Sequence, residues 1–323
     1  MREHCHLPQS IGVVGFPFSK GQPRTGAELG PGALREAGLV SQLESLGNHV
    51  IDFGDVELEP VSRDEPVMGV KNPLAVGTAN KKLSDAVTKL LKQNQSIITL
   101  GGDHSMAIGS IHGHAQVEPD LVIVWVDAHA DIHTPLTSPS GNIHGMPLSF
   151  LARELQDYVP DLPGFDWCSP CISVHDIAYI GLRDVDPAER AIIEKFGICS
   201  YSMQEVDKFG IREVVDRALQ QLDPSGTRPI HLSFDVDGMD PSLTPSTGTP
   251  VPGGLSLRET LYLAEKIAET GRLSVLDVAE VNPALGTDDK KQMTLSNTVD
   301  VTTTFFGRHR QGNAPHGYEI PRP

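Results

Sequence analysis

Three short segments gather aspartate and histidine directly after apolar runs: GGDHS at 101–105, VDAHADIH at 126–133 and SFDVDGMD at 233–240. In extended backbone alternate side chains share a face, so Asp127, His129, Asp131 and, by the same parity, His133 are expected to point together, as are Asp235 and Asp237. One Asp after a strand is usually a turn or cap residue, and one buried His usually a hydrogen-bonding group. Four carboxylates at the ends of buried strands are different, because they repel one another unless a cation lies among them. The pattern therefore reads as a metal centre. Carboxylates with a little imidazole and no thiolate suit Mn²⁺ or Mg²⁺ better than zinc or copper. With His104 added, the set exceeds what one ion uses, so two ions sharing bridging carboxylates, about 3.5 to 4 Å apart, are expected.

These groups need a scaffold that brings distant segments to one place. β-Branched runs are expected as strands at 11–16, 49–53, 96–100, 121–127, 177–182, 198–201, 229–235 and 273–279. Helical patterns fall between and after them at 31–38, 78–93, 105–112, 147–156, 187–196, 204–222, 256–270 and 289–306. The clearest starts at Ser256, where Ser256 and Glu259 form a capping box and Gly271 supplies the stop. Alternating strands and helices predict an α/β fold: a single domain over 1–323 with a roughly eight-stranded parallel sheet flanked by helices in three layers. Polar, proline-rich segments at 17–30, 134–146 and 238–254 follow strands, where open α/β sheets build their sites. Residues 308–323 read as a tail.

Composition narrows the function classes. A balance of 26 basic against 42 acidic residues, net −16, repels nucleic-acid phosphates and anionic membrane faces, so neither is an expected partner. The longest unbroken apolar run, Leu121–Val126, is far short of a membrane span. The beginning MREHCHLPQS resembles neither a signal nor a transit peptide, which predicts a cytoplasmic protein, or a mitochondrial one if a leader has been removed. Cys5, Cys168, Cys171 and Cys199 are too few to staple a chain of this size, and the lone CxxC of WCSPC lacks the second pair of a zinc site, so ordinary thiols are expected.

The motifs PFSKGQPRTGAELGP, GGDHS, VDAHADI, SGNIHG, IGLRDVDPAE, SFDVDGMDPS, TGTPV and EVNP, in this order over nearly the whole chain, resemble the ureohydrolases and within them the animal-type arginases. The resemblance implies two Mn²⁺ per subunit, one held by His104, Asp127, Asp131 and Asp235 and the other by His129, Asp127, Asp235 and Asp237. It implies hydroxide between the ions attacking a guanidinium carbon, with Asp131 orienting it and His144 as proton shuttle. Glu280 would pair with the guanidinium, with Thr249 near the same end. Asp186 and Glu189 would hold the α-ammonium of the substrate, and Ser140 and Asn142 its carboxylate. These assignments imply L-arginine as substrate, L-ornithine and urea as products, and a homotrimer with Arg308 and Arg310 as candidate interface residues. From the residues alone, His144 reads as a loop histidine; for Glu280 a surface cap is the bland alternative, outweighed by the guanidinium role, and for Asp186 the N-cap ahead of Pro187 is a role that can coexist with substrate binding.

Two positions depart from the pattern. His133 stands where the resemblance places an Asn that contacts the substrate carboxylate. It is expected to keep that role with altered, pH-dependent affinity, since imidazole donates one hydrogen bond when neutral and adds charge when protonated. Met146 stands where the resemblance places a more usual polar residue. Alternative readings are another ureohydrolase such as agmatinase or guanidinobutyrase, and a catalytically silent regulatory homologue. A zinc deacetylase-like relative would require one metal and a tyrosine stabiliser, for which the Asp-rich segments give no support.

Overall fold

Near-continuous apolar runs suit strands covered on both faces, and the computed structural model, which describes residues 9–310, contains eight of them. They are β1 (Ser10–Gly15), β2 (His49–Asp55), β3 (Ser96–Leu100), β4 (Val122–Val126), β5 (Ile177–Leu182), β6 (Cys199–Ser202), β7 (Ile230–Asp235) and β8 (Leu273–Ala279). All pair in parallel, in the order β2-β1-β3-β8-β7-β4-β5-β6. The expected strands are thus all present in one sheet.

Side-chain alternation divides the core into two layers. On one face Ile97, Ile123, Trp125, Ile177 and Tyr179 pack with α3 (Pro73–Leu91), α4 (Ala107–Ala115), α5 (Pro147–Leu151) and α6 (Pro187–Phe196). On the other, Ile98, Val124, Ile180, Leu232 and Leu276 pack with α1 (Gly30–Glu36), α2 (Leu39–Ser45), α7 (Met203–Leu222), α8 (Leu257–Thr270) and α9 (Asp288–Phe305). The Ser256–Glu259 box caps α8, and Gly271 ends it with φ 64°.

Four helical expectations need correction. α2 was not expected, because its seven residues are too few for a periodic signal; it follows Gly38 in the left-handed region (φ 86°) and buries Leu39 and Leu43. α3 starts at Pro73 rather than 78, since the Asp64 carboxylate accepts the N–H groups of Leu74 and Ala75 at 3.2 and 2.7 Å, a cap supplied from outside the local sequence. The helix expected over 147–156 ends at Leu151, because Ala152 is extended and bridges Ile172, and Arg153–Tyr158 is 3₁₀. α7 bends at Gly210, whose φ of 77° is non-helical.

Among the described residues, no helix is long and apolar enough to cross a membrane. Cys168, Cys171 and Cys199 are free thiols that burial pushes up to about 12, 12 and 11; Cys5 lies outside the described residues. The chain lays β1–β3 on one side, crosses to β4–β6, then returns β7 and β8 to fill the gap. The carboxyl ends of β3, β8, β7 and β4 therefore meet at a topological switch point, the place where such sheets bind ligands.

Candidate active site

Each central strand delivers one polar segment to this point. β3 ends in Gly101 and Gly102, and the Phe18 carbonyl lies where a Gly102 Cβ would be, at 1.7 Å, so glycine is required for the loops to close. Asp103 then caps the turn carrying His104, accepting the N–H groups of Ser105 at 3.0 Å and Gly21 at 2.8 Å.

His104 is fully buried, its ring stacked on Trp125 at 4.2 Å and its Nε2 2.8 Å from Ser233 Oγ. Its Nδ1 faces carboxylate oxygens of Asp127, Asp131 and Asp235 at 3.1, 3.2 and 3.1 Å, yet is aligned for a hydrogen bond with none of them. A buried nitrogen left unpaired among three acid oxygens is costly in a protein interior and normal for a metal ligand. The second oxygen of Asp127 faces His129 Nδ1 at 3.3 Å, and that nitrogen faces Asp237 at the same distance. Asp127 is thus shared between the two groups.

The charges are also those of a centre built for cations. Burial and the charges of Asp237 and Asp127 hold Asp235 well above the usual carboxylate range, and burial with Asp127 pushes Asp237 up to about 6. Burial and the same neighbour raise Asp131. Asp127 is lowered despite its burial, through its contacts with His104 and His129. With the orphaned His104 nitrogen, these acids fit a carboxylate–imidazole metal site.

The expectation from strand parity holds only in part. After β4 the backbone is irregular, with Asp131 at φ 50°, and after β7 residues Val236–Gly238 form a 3₁₀ turn. The turn sends Asp235 to His104 and Asp237 to His129, while one Asp235 oxygen accepts the Asp237 N–H at 2.8 Å. His133 does not join the cluster: its Nε2 is 2.8 Å from Asp186 Oδ2 and its Nδ1 3.2 Å from Thr137 Oγ1.

Glu280 follows β8 in a left-handed conformation (φ 63°) and is buried, so it is not a surface cap. Its carboxylate accepts the Gln22 amide at 2.6 Å and the His104 N–H at 2.9 Å, and faces His144 Nδ1 at 3.4 Å. Burial opposes a charge on His144, but Glu280 and the charges of Asp131 and Asp103 push it up to about 9. Strain at Asp131 and Glu280 beside a buried acid cluster is the kind that accumulates at functional sites.

Thr249 donates to Asp237 at 3.0 Å. Asp186 is the N-cap of α6, and its N–H donates to Glu189 at 3.1 Å. Glu189 also accepts the Ile132 N–H at 3.2 Å, and burial with the charge of Asp131 pushes it up to about 8. Ser140 Oγ accepts the Asn142 N–H at 3.2 Å. Gln22, Ser233, Asp103 and Thr137 were not singled out in the sequence. Gln22 lies 258 residues from Glu280, whereas Ser233, two positions before Asp235 on the same strand, was within reach of the parity argument.

A parallel α/β sheet whose carboxyl edge carries a carboxylate–imidazole cluster able to hold metal, next to a buried, hydrogen-bonded glutamate, is an arrangement suited to metal-dependent hydrolysis. The family match is specific: the Arginase family pattern covers residues 9–307. Arginase-1 of Bos taurus is 55% identical over 307 residues, 95% of each chain. A human relative named arginase-2, mitochondrial, is 52% identical, covering 97% of this chain and 89% of that one. The solved arginase of Bacillus caldovelox superposes with a TM-score of 0.84 at 37% identity, over 94% of this chain and 99% of that one. The chain belongs to the arginase family.

Proposed function

We propose that this protein hydrolyses the guanidinium group of L-arginine to L-ornithine and urea with two Mn²⁺ ions. His104, Asp127, Asp131 and Asp235 would hold one ion, and His129, Asp127, Asp235 and Asp237 the other. Bound there, the ions supply Lewis acidity that makes water a nucleophile near neutral pH. The observation that carries this reading is the His104 Nδ1 atom, facing three carboxylates without a hydrogen bond.

The chain's own groups do the rest. Glu280, held by Gln22 and the His104 N–H, orients the planar guanidinium. Asp131 orients the attacking water, and Thr249 steadies Asp237. His144, kept protonated at neutral pH beside Glu280, gives its proton to the departing amine. Asp186 and Glu189 are the carboxylates for an α-ammonium, and Ser140 and Asn142 the donors for an α-carboxylate.

A homotrimer and a cytoplasmic location complete the reading. Of the proposed contact segment 308–323, Arg308 pairs with Asp300 and Arg310 with Glu265, each at 2.6 Å within the chain; residues 311–323 lie outside the described residues. Size-exclusion with light scattering tests the assembly, a trimer being expected and a monomer contradicting it.

The activity test is urea release by Mn²⁺-loaded protein from L-arginine and agmatine side by side, repeated after chelation. Arginine turnover that disappears with the metal is expected. Preference for agmatine would replace the substrate assignment, and no urea from either would reject the reaction.

A further inference from the structure

At the exposed edge of the site, beside the metal cluster, three further ligating groups converge. A ring nitrogen of His133 and one carboxylate oxygen each from Asp186 and Glu189 lie within 4.8 Å of one another. His133 Nε2 is 2.8 Å from Asp186 Oδ2 and 3.9 Å from Glu189 Oε2. Ligand atoms bound at about 2.0 to 2.2 Å around a tetrahedral ion stand roughly 3.4 Å apart, and the two separations straddle that value. Asp186 and Glu189 sit three residues apart at the start of α6, on one face, and Glu189 is already oriented by the N–H groups of Ile132 and Asp186. His133 Nδ1 faces Thr137 Oγ1 at 3.2 Å, the kind of second contact that orients a ligating imidazole. A separate observation calls for a cation. Glu189 is 4% exposed and repelled by Asp131, yet among the described residues no Lys or Arg lies within ion-pairing distance of Glu189 or Asp186, and His133 is their one basic neighbour.

We infer that His133, Asp186 and Glu189 form a third metal site, for a borderline divalent cation such as Zn²⁺, whose occupation competes with L-arginine. The ion takes the place of the proton between His133 Nε2 and Asp186. That proton moves to Nδ1, which donates it to Thr137 Oγ1, and the half-exposed Asp186 leaves the fourth position open to water. One imidazole with two carboxylates holds Zn²⁺ more tightly than Mn²⁺, so Mn²⁺ in excess keeps the aspartate-rich centre while scarce Zn²⁺ enters here. The competition rests on the arginase reading above, in which Asp186 and Glu189 receive the α-ammonium; the binding of the ion does not.

The test is zinc uptake by the Mn²⁺-loaded protein, dialysed against dilute Zn²⁺ with Mn²⁺ in excess, for the wild type and His133→Asn, with both metals counted by atomic emission. One Zn²⁺ per wild-type chain without loss of Mn²⁺ is expected, and at least tenfold weaker uptake by the variant. Anomalous diffraction at the zinc edge should place the ion beside His133 in the wild type, which decides the matter even if His133→Asn does not fold. In urea release by the wild type, the same Zn²⁺ is expected to raise KM for arginine at least threefold while kcat changes less than twofold. No zinc uptake, uptake matched by loss of Mn²⁺, equal uptake by the variant, or a fall in kcat at unchanged KM overturns the inference. Absence of urea from arginine without zinc defeats the parent reading instead, and the metal counts then still decide the site.

Discussion

Two buried groupings of histidine and aspartate lie on the same face of the sheet and behave in opposite ways. In one, behind helix α4, Asp277 accepts from Thr99 and from Ser110 at 2.5 Å, and faces His231 at 2.9 Å. His231 continues to His114 at 3.1 Å and His114 to Glu118 at 2.8 Å. Every group has a partner, and Asp277 is held below its ordinary value despite full burial, through His231, Ser110 and Thr99. In the other, His104 leaves a nitrogen unpaired while Asp235, Asp131 and Asp237 are raised by burial and by neighbouring carboxylates, Asp127 above all. The same residue types make a closed structural network in one place and an unfinished one a strand's length away. What separates them is whether the acids face donors or other acids.

Substitutions on the two sides should therefore diverge. Asp127→Asn, which removes the carboxylate common to both groups, is expected to lower urea release from arginine at least 10³-fold; retention of a tenth of the activity would break the contrast. Asp277→Asn should cost on the order of 2 kcal/mol in unfolding by denaturant, the typical penalty for disrupting hydrogen bonds to a buried carboxylate, with unchanged Mn²⁺ stoichiometry in the folded fraction. Asp235→Asn should do the reverse: relieved of a repelling acid, the metal-free protein gains up to about 1 kcal/mol and loses its stabilisation by Mn²⁺. If both variants shift metal-free stability in the same direction, the distinction between the groupings is wrong.

Smaller effects sharpen the picture around Glu280. Gln22→Ala removes a hydrogen bond to a buried carboxylate and is expected to lower kcat/KM by about tenfold, the equivalent of roughly 1.5 kcal/mol. The smallest effect is in titration. Because the folded value for His144 is raised to about 9, its stabilising contribution is complete below its unfolded value of about 6.5 and fades as pH rises through 9. NMR of the metal-free protein should show this ring titrating near 9, and Glu280→Gln should bring it down by at least one unit; an unmoved value would remove Glu280 as the cause.

The eight strands and their parallel pairing were legible because buried parallel strands are written as continuous apolar runs. The six expected metal ligands were visible as a density of acids after such runs. Elements set by distant partners were not legible: the start of α3 depends on Asp64, and the position of Glu280 on Gln22. Parity misdirected His133, because the left-handed turn at Asp131 breaks the extended pattern and passes the imidazole to Asp186. Nor do residue types alone distinguish the Asp277 network from the site, since a satisfied histidine and a ligand histidine are the same letter.

The most direct test of the central claim is equilibrium dialysis of metal-free protein against Mn²⁺, for the wild type and His104→Ala. The account predicts two ions per wild-type chain, one of them lost in the variant, with thermal stability rising as the ions bind. Binding of no ion, or equal binding by the variant, would contradict the assignment of the unpaired His104 nitrogen to a metal.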